Sequence, residues 1–98
     1  MYLWRSMNIE HRPEESRFVA TVGGSEAELT YRKVDEKTVD YDHTFVPPEA
    51  RGGGVAGKLV REAMEWARKE GYKVIPGCPF VGDFLDRHPE YQDLETSL

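Results

Sequence analysis

Ninety-eight residues, 39% of them apolar and 32% charged, suffice for one small folded domain, and no apolar run approaches the roughly 18 residues of a membrane-spanning helix. A net charge of −5 argues against nucleic acid or an anionic membrane as a partner and would favour a cationic acceptor. A single cysteine, Cys78, excludes an internal disulfide and suits a reducing cytoplasm.

Residues 1–6 read as a leader, with Met7 as an alternative start, and 94–98 as a tail. From Met7 the pattern is that of strands. Residues 7–11 alternate weakly, 12–16 turn, and 17–22 form a second strand that Gly23-Gly24 folds back as a hairpin. In 26–34, Ala27, Leu29 and Tyr31 share a face; 35–37 turn the chain again. In 38–46 the alternation predicts Val39, Tyr41, His43 and Phe45 on the apolar side, with Asp40, Asp42 and Thr44 opposite. Pro47-Pro48 ends that strand, because neither offers a ladder N–H. Val55 to Glu70 is the strongest helix: Val55, Ala56, Leu59, Val60, Ala63, Met64 and Ala67 make one stripe, and Gly71 is a natural stop. Residues 72–78 form a short strand. A second short helix follows, with Pro79 in its first turn and Pro89 past its end.

The order is β-β-β-β-α-β-α, and the helical crossover makes strands four and five parallel. The prediction is a single α/β (α+β) domain on a mixed, mostly antiparallel five-stranded sheet. No internal repeat or linker interrupts it.

The stretch Arg51-Gly52-Gly53-Gly54-Val55-Ala56-Gly57-Lys58 satisfies three phosphate-binding patterns. A P-loop needs Ser or Thr after the lysine to ligate magnesium, and position 59 is Leu. A dinucleotide fingerprint follows the first strand, with an acid about 20 residues on. Here four strands come first, and residues 71–78 contain no acid. What survives is a strand, a glycine turn and a helix start, where backbone N–H groups and the helix dipole favour an anion without metal. Either this is a diphosphate seat of the third pattern, R-x-x-G-x-A from Arg51 to Ala56, or it is an ordinary glycine-rich turn. Six of the 13 basic residues lie between Arg51 and Lys73, either as a solvated helix face or as a local positive field for a polyanion.

Across Tyr41–Val60 and Val74–Phe80 the sequence resembles the GCN5-related N-acetyltransferases, and more narrowly their minimal YjdJ-type branch. The superfamily pattern V-x-P-E-x-R-G-x-G-[IV]-[GA] is met by Val46, Pro48, Glu49, Arg51, Gly52, Gly54, Val55 and Ala56. The branch adds Asp42-His43-Thr44, Cys78-Pro79-Phe80 and a late His88-Pro89-Glu90-Tyr91. The resemblance implies a minimal acetyltransferase fold with strands four and five splayed, and acetyl-coenzyme A between them. Phe45 and Val46 would pair with the pantetheine arm. Arg51, Gly52, Gly53, Gly54, Val55, Ala56, Gly57 and Lys58 would form the diphosphate loop, the Arg51 side chain either contacting the ligand or only shaping that loop. Lys58 and Arg61 either approach the adenosine phosphates or are ordinary surface bases. Larger relatives insert two helices between the first strands; here 11–17 is only a turn, so the acceptor cleft should be shallow.

For the chemistry, His43 has the intrinsic pKa of a general base, or is a core histidine satisfied by a hydrogen bond. Cys78, after strand five and before a helix start, is an acetyl-accepting nucleophile, a lining residue, or a small buried side chain filling a corner. Tyr91 is a further candidate for protonating the departing thiol. The expectation is a cytoplasmic acetyl-coenzyme A-dependent N-acetyltransferase, without metal, acting on a small-molecule or protein amine. The alternative is a non-catalytic acyl-coenzyme A-binding or sensing module.

Overall fold

Alternating apolar and polar side chains build β1 (Asn8–Arg12), β2 (Arg17–Val22), β3 (Ser25–Asp35) and β4 (Thr38–Phe45), which pair as an antiparallel meander. The structure is a computed structural model that describes residues 8–51 and 53–97. The expected leader, Met7 and Gly52 lie outside the described residues. Only a 3-10 turn, Pro13–Glu15, joins β1 to β2. Gly23 and Gly24 close the next hairpin at φ 57° and 84°, values that L side chains rarely adopt. Helix α1 (Val55–Glu70) then carries the chain across to β5 (Lys73–Ile75), which lies parallel to β4 and completes a five-stranded sheet in sequence order. Helix α2 (Pro79–Arg87) and a 3-10 segment, Pro89–Leu94, finish the domain. The expected α/β (α+β) architecture is the observed one.

One apolar cluster joins the inner face of the sheet to both helices. Leu59, Val60, Ala63 and Met64 of α1 meet Leu29, Val39, Tyr41 and Val74, while Val81 and Leu85 of α2 extend the same core. Burying each Val, Leu or Met side chain among these contributes about 1.5–3 kcal/mol of transfer free energy. The opposite face is polar, laced by Arg17–Glu28 and Arg32–Asp40 pairs. The tail expected from 94 stays docked further than its composition suggests. Leu94 is buried, and the Thr96 N–H donates to the Val74 carbonyl at 2.8 Å.

The alternation in β4 does not run as the sequence predicts. Thr30 pairs with His43 but Tyr31 pairs with Tyr41, so Asp42 is an extra residue, a β-bulge. One inserted residue reverses the face of everything after it. Val39 and Tyr41 are buried as expected, but His43 and Phe45 are exposed on the outer face, Phe45 at 46%. Thr44, opposite the buried Leu29, turns inward instead.

Strand β5 is short for a local reason. Three residue pairs, Thr38–Lys73, Val39–Val74 and Asp40–Ile75, hold it to β4. Pro76 then supplies no N–H, and the Gly77 N–H turns back onto the Ile75 carbonyl at 3.0 Å. The Cys78 N–H reaches the Tyr41 carbonyl at 2.9 Å as the final link, after which the two strands part. Tyr41 also fastens the helix layer, its buried hydroxyl donating to the Ala63 carbonyl at 2.6 Å.

The Gly77 turn has no room for a side chain, since a Cβ there would stand 2.3 Å from Asp40 Oδ1. Gly77→Ala should therefore lower stability by about 1–3 kcal/mol, read as a drop in Tm on thermal unfolding. In an Asp40→Ala background the same change should be close to neutral. Equal losses in both backgrounds would mean that the carboxylate is not the obstruction.

Candidate active site

The parting of β4 and β5 brings three elements to one place: the inward Thr44, the start of α1 and the start of α2. Gly54 precedes α1 at φ 72°, and no side chain caps the helix. The first intrahelical bond runs from the Lys58 N–H to the Gly54 carbonyl at 3.0 Å. The N–H groups of Val55, Ala56 and Gly57 thus have no carbonyl a turn behind them, and they sit at the positive end of the helix dipole. Backbone N–H groups in that arrangement are able to accept an anion.

The turn leading to it is held by two motif side chains. Arg51 Nε donates to the Val46 carbonyl at 3.0 Å, bracing the end of β4 across Pro47-Pro48. Glu49 accepts from the Ser25 hydroxyl at 2.9 Å; its own backbone N–H and that hydroxyl keep its carboxyl below the ordinary value. Both residues act as fasteners of the loop.

Three adjoining cavities open around this turn. One, of about 250 Å³, is lined by Val46, Arg51, Gly54, Val55, Ala56, Gly57 and Phe80. The next, of about 260 Å³, runs along α2 past Phe80, Asp83, Phe84, Arg87 and His88. The third, of about 250 Å³, is bounded by Gly54, Gly57, Lys58, Arg61, Phe84 and His88. Gly57 borders all three. A Cβ built on it would meet nothing within 4 Å, so packing does not require the glycine.

Cys78 caps the start of α2 and is only 8% exposed. Its Sγ lies 3.2 Å from Thr44 Oγ1. Burial pushes the thiol up; the Thr44 hydroxyl and the backbone N–H groups of Phe80, Val81 and Thr44 more than offset this, so the thiol ionises below its ordinary value. None of the three cavities is lined by Cys78 itself; Phe80, two residues on, stands at two of them.

The sequence-predicted residues therefore divide. Val46, Arg51, Gly54, Val55, Ala56, Gly57 and Lys58 come together around the cavities, and Gly53 lies in the turn. Gly52 lies outside the described residues. Phe45 points to the outer face. The His43 side chain also stands on the outer face, with no hydrogen-bond or ion-pair partner among the described residues, and it is Thr44, not His43, that meets Cys78. The cause is the bulge at Asp42. Tyr91, considered as an acid for the departing thiol, is committed elsewhere: its hydroxyl donates to Glu65 and accepts from Arg61 Nη1 at 3.1 Å. Strict alternation places Thr44 outside; the polar run Asp42-His43-Thr44 in an otherwise apolar-polar strand is the one sign of a bulge that the sequence carries. Among the described residues, no three His, Cys, Asp or Glu side chains converge as a metal site.

The sheet thus opens beside an uncapped, glycine-led helix, with a buried thiol at the parting. The family model for GCN5-related N-acetyl-transferases matches residues 17–94. The chain belongs to that family. It is 34% identical to protein NATD1 of Danio rerio over 94 residues, 94% of this chain and 86% of that protein. With protein NATD1 of Homo sapiens it shares 30% identity over 91 residues, 91% of this chain and 80% of that one. The NMR solution structure of a GCN5-like protein from Staphylococcus aureus superposes with a TM-score of 0.73 at 34% identity, covering 93% of this chain and 89% of that chain.

The thiol environment has a direct readout. The rate of Cys78 alkylation by iodoacetamide should rise with pH through a midpoint below that of an ordinary cysteine. Thr44→Val removes a donor to the thiolate, so the midpoint should move upward. An unmoved midpoint would show that the backbone N–H groups alone set the thiol.

Proposed function

We propose that this protein is an N-acetyltransferase that takes acetyl groups from acetyl-coenzyme A and passes them to an amine through Cys78. The observation that carries this reading is the Thr44–Cys78 pair at the parting of β4 and β5, beside the uncapped start of α1. The residues present fit the cosubstrate: the N–H groups of Val55, Ala56 and Gly57 would hold its diphosphate, and the exposed edge of Thr44–Val46 suits its extended arm. When bound it supplies an activated thioester.

Cys78, as thiolate, would form a new bond to the acetyl carbon and displace the coenzyme thiolate, which takes up a proton. A neutral amine then forms the carbon–nitrogen bond, gives up one proton, and returns Cys78 to its thiolate. Thr44 holds the sulfur in both halves of the cycle. Among the described residues no histidine is hydrogen-bonded to the thiol, so its lowered pKa makes the thiolate available without a neighbouring base. The single thiol supports a reducing, cytoplasmic site of action, and the motifs around Thr44 and Cys78 support placement in the minimal branch of the family. That only the 3-10 turn Pro13–Glu15 joins β1 to β2 supports an open acceptor site for a small or protein-borne amine.

Two experiments test this reading. Incubation with acetyl-coenzyme A should add one acetyl group to Cys78 by mass spectrometry, and Cys78→Ser should abolish the adduct and slow turnover of an amine panel by on the order of 100-fold or more. Unchanged turnover in Cys78→Ser would replace the cysteine route by direct transfer. Absence of both acetyl-enzyme and acetylated amine would favour the coenzyme-binding module instead. Gly57→Ala should stabilise the ligand-free protein by about 0.5–1 kcal/mol, as alanine does within a helix, while weakening coenzyme A binding about tenfold or more, because Gly57 borders all three of the cavities described above. Higher Tm with unchanged affinity would move the seat away from α1.

A further inference from the structure

The late His88-Pro89-Glu90-Tyr91 motif takes no part in the chemistry above, yet it is built around one side chain of α1. Arg61 Nη1 donates to the Tyr91 hydroxyl at 3.1 Å, and Arg61 Nη2 lies 3.4 Å from His88 Nδ1. The guanidinium also rests 5.5 Å from the Tyr91 ring centroid and 5.8 Å from that of Phe84. Tyr91 is anchored in turn by donating to Glu65, and His88 is stacked on Phe84 with ring centroids 4.0 Å apart. A flexible side chain held at so many points has little rotamer freedom left to lose on binding. The opposing charge is modest: Glu90 stands 3.6 Å away, both partners are substantially exposed, and such pairs contribute little.

Arg61 and His88 both face the cavity that begins at Gly54 and Gly57 and also takes in Lys58. At about 1.5 Å of rise per residue, Lys58 stands roughly one turn and Arg61 roughly two turns beyond Gly54. His88 Nδ1 lies 3.4 Å from both Arg61 Nη2 and Glu90 Oε2, so the positive charge of the cavity wall comes from Lys58 and Arg61; unlike its neighbour along Asp83, the cavity has no carboxylate among its described lining residues. A second anionic group about 10 Å or less from the diphosphate seat is what this lining would recognise.

We propose that this cavity is a phosphate-monoester subsite, with Arg61 as its specificity-determining residue and Tyr91 and His88 as positioning residues, so that the protein tells coenzyme A from its 3′-dephosphorylated form. The proposal rests on the reading of the α1 turn as a diphosphate seat.

Titration calorimetry of the full chain with coenzyme A and with 3′-dephospho-coenzyme A tests it. The native protein should bind coenzyme A about tenfold or more tightly than the dephosphorylated form, with the gap shrinking at high salt. Arg61→Gln should collapse that ratio toward one while leaving dephospho-coenzyme A affinity within about twofold; Arg61→Lys, which keeps the charge but loses the fork, should retain part of it. Tyr91→Phe should lower the ratio without changing dephospho-coenzyme A binding, a result that mere loss of stability would not produce. Equal affinities in the native protein overturn the subsite while leaving the diphosphate seat intact. Equal weakening of both ligands in Arg61→Gln overturns it as well, by making Arg61 structural. Failure of both ligands to bind overturns the seat and the subsite together.

Discussion

The hydrogen bond from the Cys78 N–H to the Tyr41 carbonyl closes the β4–β5 ladder, and the geometry of the site depends on where that ladder ends. Two parallel strands normally continue to pair while backbone donors remain. Here Pro76 withholds a donor, Gly77 spends its N–H on a local turn, and the bulge at Asp42 redirects β4 one residue past Tyr41. Pairing through Tyr41 holds the sheet together; parting beyond it opens the space. The same few residues therefore set both the stability of the sheet edge and the position of the thiol. The Gly77 turn packs so closely over Asp40 that even a methyl group would intrude, which limits how far this junction can drift.

The start of α1 shows a second compromise. A Ser, Thr or Asp cap would satisfy an orphan N–H and is typically worth about 1 kcal/mol. The chain places Gly54 there instead, and adds Gly57 inside the first turn, where alanine would favour the helix. Both choices give up local stability and leave bare backbone facing the cavities. The loss is offset by tertiary contacts: the buried stripe of α1 and the Tyr41–Ala63 hydrogen bond hold a helix that its own first turn does little to secure. Local rules that fail at one place while the rest of the element obeys them are a mark of function.

Much of this organisation was legible from residue order. The strand count, the hairpin at Gly23-Gly24, the long amphipathic helix and its stop at Gly71 all follow from near-neighbour patterns, and each is found where expected. The exclusion of a P-loop by Leu59 is equally local: Leu59 is buried in the core stripe and offers no hydroxyl. The face assignment of His43, Thr44 and Phe45 was not legible in the same way. Alternation assumes an unbroken ladder, and whether Asp42 is absorbed as a bulge depends on how β3 and β4 pair over their whole length. The docking of Leu94 and Thr96 is likewise a long-range matter, since their partners lie in the core and on β5.

By itself, then, the sequence determined the elements, their order and the glycine turn, because helix periodicity, strand alternation and backbone freedom are properties of residues a few positions apart. Only the tertiary structure decided that Thr44 rather than His43 meets Cys78, that Arg51 and Glu49 brace the loop, and that Tyr91 serves Arg61 rather than the thiol. Those partnerships join positions as much as 34 residues apart in the chain, and a single bulged residue is enough to exchange one partner for another.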